Sequence, residues 1–145
     1  AVDLVAGVRV IDLGVMLAGA NLANTDLRWT DLSEANLVRV NLNNCDLVKA
    51  NLCRTILYET NLSDADLNGT KLFYGSPETA SPRSRLHPPN YRTGERTGAV
   101  VEKSNFTNVA RMSEANRYYC CSWCGEESRK TIPNGCEGIE NKLGR

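Results

Sequence analysis

From residue 15 to residue 74 a leucine stands at every fifth position: Leu17, Leu22, Leu27, Leu32, Leu37, Leu42, Leu47, Leu52, Leu57, Leu62, Leu67 and Leu72. Two places before each leucine sits a small or β-branched residue, as in Ala20, Thr25, Thr30, Ala35, Val40, Cys45 and Ala50. The residue between is mostly Asn or Asp. A helix returns its buried face about every 3.6 residues and a strand every 2, so a period of five fits neither. Self-similarity at a short fixed period marks a stacked repeat, whose units bury their apolar side only against neighbours. Five residues make a short extended side and a turn, and four such sides close a square coil. The leucine and the small residue then both point to the axis. A bulky residue at the small position would overpack so narrow an interior.

In such a coil, residues twenty apart form columns spaced by about 4.8 Å. One column is Asn21, Asn41, Asn61, whose amides are suited to a ladder. Another is Asp26, Asp46, Asp66, where stacked like charges repel. Either each carboxylate accepts a backbone N–H in its own turn, or the column holds a cation or a basic partner. Met16, Ala18, Val38, Ile56 and Tyr58 fall on the outside of one side, an apolar patch that the chain's own loop or tail covers or that meets a protein partner. Trp29, Phe73 and Tyr74 add aromatic surface elsewhere.

The pattern divides the chain. Residues 1–75 form the repeat, with 1–14 an irregular first coil in which Leu4, Val8 and Leu13 point inward. Residues 76–98 are a Pro/Arg-rich inserted loop containing Pro77, Pro82, Pro88, Pro89, Arg83, Arg85, Arg92 and Arg96. Residues 99–108 resume the repeat, with Val101 and Phe106 in the core. Residues 109–145 form a cap. There Ser113 reads as a helix N-cap, Met112, Ala115, Tyr119 and Trp123 recur at helical spacing, Gly125 ends the helix, and Pro133-Asn134-Gly135 marks a turn.

Charge adds one point. The formal net charge is +0, so nothing calls for direct nucleic-acid binding. The basic tail and mildly acidic coil favour docking of one on the other. No apolar run is long enough for a membrane span. The chain starts at Ala1 with no signal-like segment, which suits a processed or trimmed form.

Cys45 occupies an inward small position, and Cys53 follows Leu52 near a corner. Cys120, Cys121, Cys124 and Cys136 cluster late. Cys121-x-x-Cys124 lacks the second pair that a zinc site needs and the βαβ setting of a thioredoxin-like pair. A structural disulfide suits a cap with little core of its own. Cys124–Cys136 is the first choice, with Cys120 or Cys121 as alternates to Cys124. A bridged cap implies an oxidising compartment.

The units Ala20-Asn21-Leu22, Ala35-Asn36-Leu37, Ala50-Asn51-Leu52 and Ala65-Asp66-Leu67 resemble the pentapeptide-repeat proteins. Met16, Ile56 and Lys71 depart from Asn/Asp at the middle position, which faces outward. The resemblance implies an all-β solenoid: a right-handed quadrilateral β-helix, here with a short α-helical C-terminal cap. The segment from Arg117 to Gly125, with Cys136, resembles the tails of thylakoid-lumen and cyanobacterial members, which implies the chloroplast thylakoid lumen. No catalytic residues, metal site, cofactor or small-molecule substrate is read from the chain: His87 lies alone in a proline loop, and a filled shaft leaves no substrate cavity. The expected role is a non-enzymatic structural or protein-interaction module with an unidentified protein partner. One alternative is a DNA mimic that binds topoisomerases, as some family members do. Another is a redox-sensing lumenal protein that uses the late cysteines.

Overall fold

The computed structural model describes residues 17–145. The first coil (1–14), Val15 and Met16 therefore lie outside the described residues. From Leu17 onward the chain winds into a β-helix solenoid whose sides are joined by single parallel bridges. Four columns define four sides: Asn21–Asn41–Asn61–Asn105, Asp26–Asp46–Asp66–Ala110, Asp31–Asn51–Lys71 and Asn36–Ile56–Val100. From Leu22 to Leu67 each leucine amide donates to the carbonyl one coil on, as in Leu22 to Asn41 at 2.9 Å and Leu47 to Asp66 at 3.0 Å. The carbonyls return the pairing in the other direction, as in Asn41 N–H to Ala20 at 2.9 Å.

The corners explain the period. A leucine carbonyl accepts the N–H three residues on, as in Leu37 from Val40 at 3.1 Å and Leu47 from Ala50 at 2.9 Å. The third residue of each such turn has positive φ, the mark of a type II turn: Glu34 67°, Arg39 57°, Lys49 62°, Glu59 55°. Glycine suits that conformation best, yet it holds the place only at Gly19 and Gly69 in the coils before the loop. The Asn or Asp before the leucine completes the corner. Its Oδ1 accepts the N–H two residues on, at 3.1 Å from Asn36 to Val38 and 3.0 Å from Asn51 to Cys53.

All twelve leucines from Leu17 to Leu72 are buried, along with Val101 and Phe106. The small positions fill the remaining space, and most of the polar ones bond to the shaft's own carbonyls, the buried Thr30 hydroxyl being an exception with no hydrogen-bond partner. Thr60 Oγ1 donates to Leu37 O at 2.7 Å, Thr70 Oγ1 to Leu47 O at 2.8 Å and Ser104 Oγ to Leu57 O at 2.6 Å. A buried hydroxyl is thereby satisfied without admitting water.

After Leu72 the chain leaves the coil and returns at Ala99, whose N–H donates to Leu72 O at 2.9 Å. Along the fourth column the step lengthens from 20 residues (Asn36 to Ile56) to 44 (Ile56 to Val100), so 24 residues are inserted. The resumed pairing runs on to Ala110, two residues past the expected 108.

Helix α1 (Glu114–Trp123) begins at Ser113, whose Oγ accepts the Asn116 N–H at 3.1 Å. Its buried stripe differs from the expected one. Ala115 is exposed, and Asn116 takes the inward place because its amide donates to Thr70 O at 2.9 Å. Tyr119 stacks on Phe73 with centroids 4.9 Å apart and donates to Ala99 O at 2.7 Å. Phe73 is thus buried under α1 rather than displayed as surface. A second short helix, α2 (Glu126–Arg129), follows, and the tail turns at Pro133-Asn134-Gly135, where the Gly135 N–H reaches Ile132 O at 3.0 Å.

Tyr119 fits only because residue 98 lacks a side chain: a Cβ at Gly98 would lie 1.9 Å from its hydroxyl oxygen. Gly98→Ala is therefore expected to cost about 2 kcal/mol, as an overpacked core position does. Tyr119 fluorescence during chemical denaturation measures it; an unchanged midpoint would show that α1 is not seated there.

Candidate functional site

The repeats themselves offer little chemistry, so the departures from the pattern define the site. The inserted loop is anchored along its stem. Pro82 pairs with Gly98, Arg83 N–H donates to Gly98 O at 2.9 Å, and Gly98 N–H to Ser81 O at 2.9 Å. Arg54 Nη1 donates to Arg96 O at 2.8 Å, and Arg83 Nη1 donates to Arg54 O at 2.9 Å. Tyr74 N–H reaches Thr97 Oγ1 at 2.9 Å, Trp123 Nε1 reaches Ala80 O at 3.3 Å, and Lys142 Nζ reaches Glu78 O at 2.9 Å. Backbone and guanidinium bonds of this density hold a long insertion to the scaffold.

The tip carries side chains with no such employment. Arg85, Leu86, His87 and Pro88 are exposed, and Leu86 is 85% exposed. Tyr91 is 53% exposed and packs edge-on to Tyr74 at 4.8 Å, with Lys71 Nζ 3.4 Å from the Tyr74 ring centre. Trp29, at 64% exposure, lies apart on another corner beneath the Lys49 ammonium.

The apolar side is only part covered. Val38, Ile56 and Tyr58 are half-buried there, and Met16 is outside the described residues. Tyr58 faces two cations, Lys103 at 5.5 Å and Arg39 at 6.0 Å from its ring centre. Ile56 and Val100 form the floor of a cavity of about 410 Å³ whose other lining residues are Arg83 and Arg85 from the loop.

The Asp column is not a bare stack of carboxylates. Asp26, Asp46 and Asp66 each accept the N–H two residues on, at 3.1, 3.1 and 3.0 Å. Arg28 pairs with Asp26 at 2.7 Å and reaches Asp46 at 3.6 Å, while Arg111 pairs with Asp66 from the other end. The Arg28 guanidinium holds the Asp26 carboxyl down at about 2, and Arg111 likewise lowers that of Asp66. Two guanidinium groups thus lie against the three carboxylates. In the neighbouring column, the Asn amides run coil to coil, Asn41 to Asn21 at 3.2 Å and Asn61 to Asn41 at 3.4 Å.

The disulfide joins Cys121 to Cys136, with Cα atoms 5.5 Å apart. This corrects the first choice of Cys124, which stays a free, buried thiol, as does Cys120. Helix phase is the reason. Asn116, Cys120 and Cys124 lie four residues apart on one stripe, the stripe from which Asn116 bonds to Thr70. Cys121 is turned about 100° from it, toward Gly135 and Cys136. Burial raises the thiols of Cys45, Cys120 and Cys124, and pushes Cys53 up to about 12. Among the described residues, no group of His, Cys, Asp and Glu side chains is placed to hold a metal ion, and no helix is long and apolar enough to cross a membrane.

The family model for pentapeptide repeats, in eight copies, matches residues 14–47 and 35–72. That stretch of the chain carries pentapeptide repeats, wound as the β-helix solenoid described above. No curated protein matches it. Among solved structures, it is similar to a pentapeptide repeat protein from the thylakoid lumen of Arabidopsis thaliana, determined at 1.7 Å. The two are 18% identical, the match covers 79% of this chain and 85% of the other, and the TM-score is 0.27. At that score no property passes from that protein to this one.

Proposed function

We propose that this chain is a non-enzymatic scaffold that displays the inserted loop to a protein partner. The observation that carries the reading is the contrast between the loop's fixed stem and its idle tip. The stem residues are bonded to the coil, while Leu86 stands out with Arg85 and His87 beside it. An exposed aliphatic side chain beside a guanidinium suits an acidic partner surface with an apolar pocket. Val38, Ile56 and Tyr58 extend that surface along one side.

In this reading the coil is right-handed and quadrilateral, as the family resemblance implies, and α1 with its bridge caps the open end. The Cys121–Cys136 bridge supports an oxidising compartment, and the tail resemblance points to the thylakoid lumen. Arg28 and Arg111 interrupt the Asp column, which argues against a DNA mimic, since a mimic needs a continuous acidic face.

The test is crosslinking in the native compartment with the intact chain and with a variant whose residues 84–87 are replaced by Gly-Ser-Gly-Ser. The tip makes few bonds, so the variant should fold and melt as the parent does. A crosslinked partner retained by the parent and lost by the variant is the expected result. Equal capture by both would remove the loop from the interface.

A further inference from the structure

We infer that the cavity between the inserted loop and the Ile56 side of the coil is a binding site for a carboxylate carried on an apolar body. Its floor is Ile56 and Val100 and its charged lining is Arg83 and Arg85. The volume of about 410 Å³ is in the range of small-ligand pockets.

The chemistry follows from what the two guanidinium groups lack. Arg83 is half-buried and spends Nη1 on the Arg54 carbonyl at 2.9 Å. Among the described residues no carboxylate lies within ion-pair distance of Arg83 or Arg85. Glu34 pulls on Arg83 more weakly and in the opposite direction, and it forms an ion pair with Arg54 at 3.3 Å. Burial first, and the Arg54 charge second, draw the Arg83 guanidinium below its ordinary range, the direction expected of a cation short of a counter-charge. A planar guanidinium fork matches a carboxylate in bidentate fashion. Ile56 supplies the second half of the site. It stands where the repeat otherwise prefers Asn or Asp, and Val100 above it is apolar too. Two apolar residues stacked in one column give an aliphatic chain a floor that a hydrated phosphate would not use.

The ligand has two sources with the same chemistry: a free aliphatic acid, or the carboxyl terminus of a peptide ending in an apolar residue. The site does not require the loop tip to engage a protein. A chain that binds the acid but captures no partner would leave this inference standing and sink the scaffold reading; the reverse result would do the opposite.

Calorimetric titration of the full chain with hexanoate, hexan-1-ol and inorganic phosphate tests it. Two tetrapeptides ending in Val, one with a free and one with an amidated carboxyl, form a second arm. Hexanoate is expected to bind about tenfold more tightly than either the alcohol or phosphate. Arg85→Ala should weaken hexanoate about tenfold, the worth of a charge-assisted hydrogen bond, with no change in melting. Ile56→Asn, which restores the repeat's own preference, should weaken it about threefold or more. A free-carboxyl peptide that outbinds hexanoate and fails when amidated supports the site and assigns a chain end as ligand; hexanoate outbinding the peptide supports it and assigns a small acid. Hexanol or phosphate binding as well as hexanoate, or unchanged affinity in Arg85→Ala, would overturn it.

Discussion

Cys136→Ser is expected to loosen the C-terminal segment at a cost of about 3 kcal/mol, the value for a bridge closing a loop of this length. The bridge spans a sequence separation of 15. The segment it fastens has only short elements, α1 of 10 residues and α2 of 4. Backbone bonds such as Glu126 N–H to Arg145 O at 3.0 Å and Lys142 N–H to Ser122 O at 2.8 Å hold the rest, with a few side chains. Arg129 donates to the Cys136 and Ile139 carbonyls, Arg117 to Gly135, and Ser128 to Ser104. Removing the crosslink gives the unfolded tail back its freedom while these contacts remain, so the native fold should survive with a lower threshold for opening. Limited proteolysis beyond residue 110 and denaturant titration, each with and without reductant, provide the measurement. The parent in reductant should match Cys136→Ser in either condition. Cys124→Ala, which removes a free thiol from the buried stripe, should cost about 1 kcal/mol and keep its response to reductant. Equal sensitivity of Cys124→Ala and Cys136→Ser would mean that the pairing is not the one described. The redox-sensing alternative meets the same experiment: it requires that reduction change partner capture, not merely tail stability.

The second large effect belongs to the shaft. Leu47→Ala should cost about 3 to 5 kcal/mol, the range for deleting a buried leucine where neighbours relax little. Leu47 is 0% exposed, and its column continues through Leu27 and Leu67, also buried. A stacked repeat contacts only adjacent coils, so the damage should spread one coil in each direction before it fades. Hydrogen exchange would reveal this at the amides of Leu27, bonded to Asp46 O at 2.8 Å, and Leu47, bonded to Asp66 O at 3.0 Å. Val48→Ala, next door on the outer surface, should change stability by about 0.5 kcal/mol or less. Comparable losses for the two would place the core elsewhere.

The coil was readable from the sequence because one stereochemical rule repeats. Each leucine sits two residues after a small one, and the Asn or Asp between makes a turn that any neighbour can complete. The residues at positive φ were not readable. Glu34, Arg39, Lys49 and Glu59 are ordinary L-residues without the glycine that usually signals this conformation. Their strain is accepted because the leucine before and the small residue after are both pinned in the shaft. The tail was less legible for a different reason. A list of four cysteines does not say which way a helix is rotated, and α1's phase is fixed by Asn116 reaching Thr70 and by the gap at Gly98 that receives Tyr119. The cavity beside Ile56 was hidden too. Its halves come from residues 56 and 100 of the coil and 83 and 85 of the loop, and only the loop's return path brings them together. Ile56 as a break in the Asn/Asp pattern, on a side that a loop or the tail is expected to cover, was the hint available.

The return itself carries a last consequence. After a detour of 24 residues the backbone rejoins its own lattice, with Leu57 N–H meeting Val100 O at 2.7 Å as though nothing had intervened. Closing a longer excursion costs little more than closing a short one, about 0.6 kcal/mol for each doubling. The seam after Leu72 is therefore a socket. Foreign peptide spliced between Ser84 and His87 would hang from a rigid mast without disturbing the thread beneath it, and the chain is open to that kind of growth by grafting and by evolution alike.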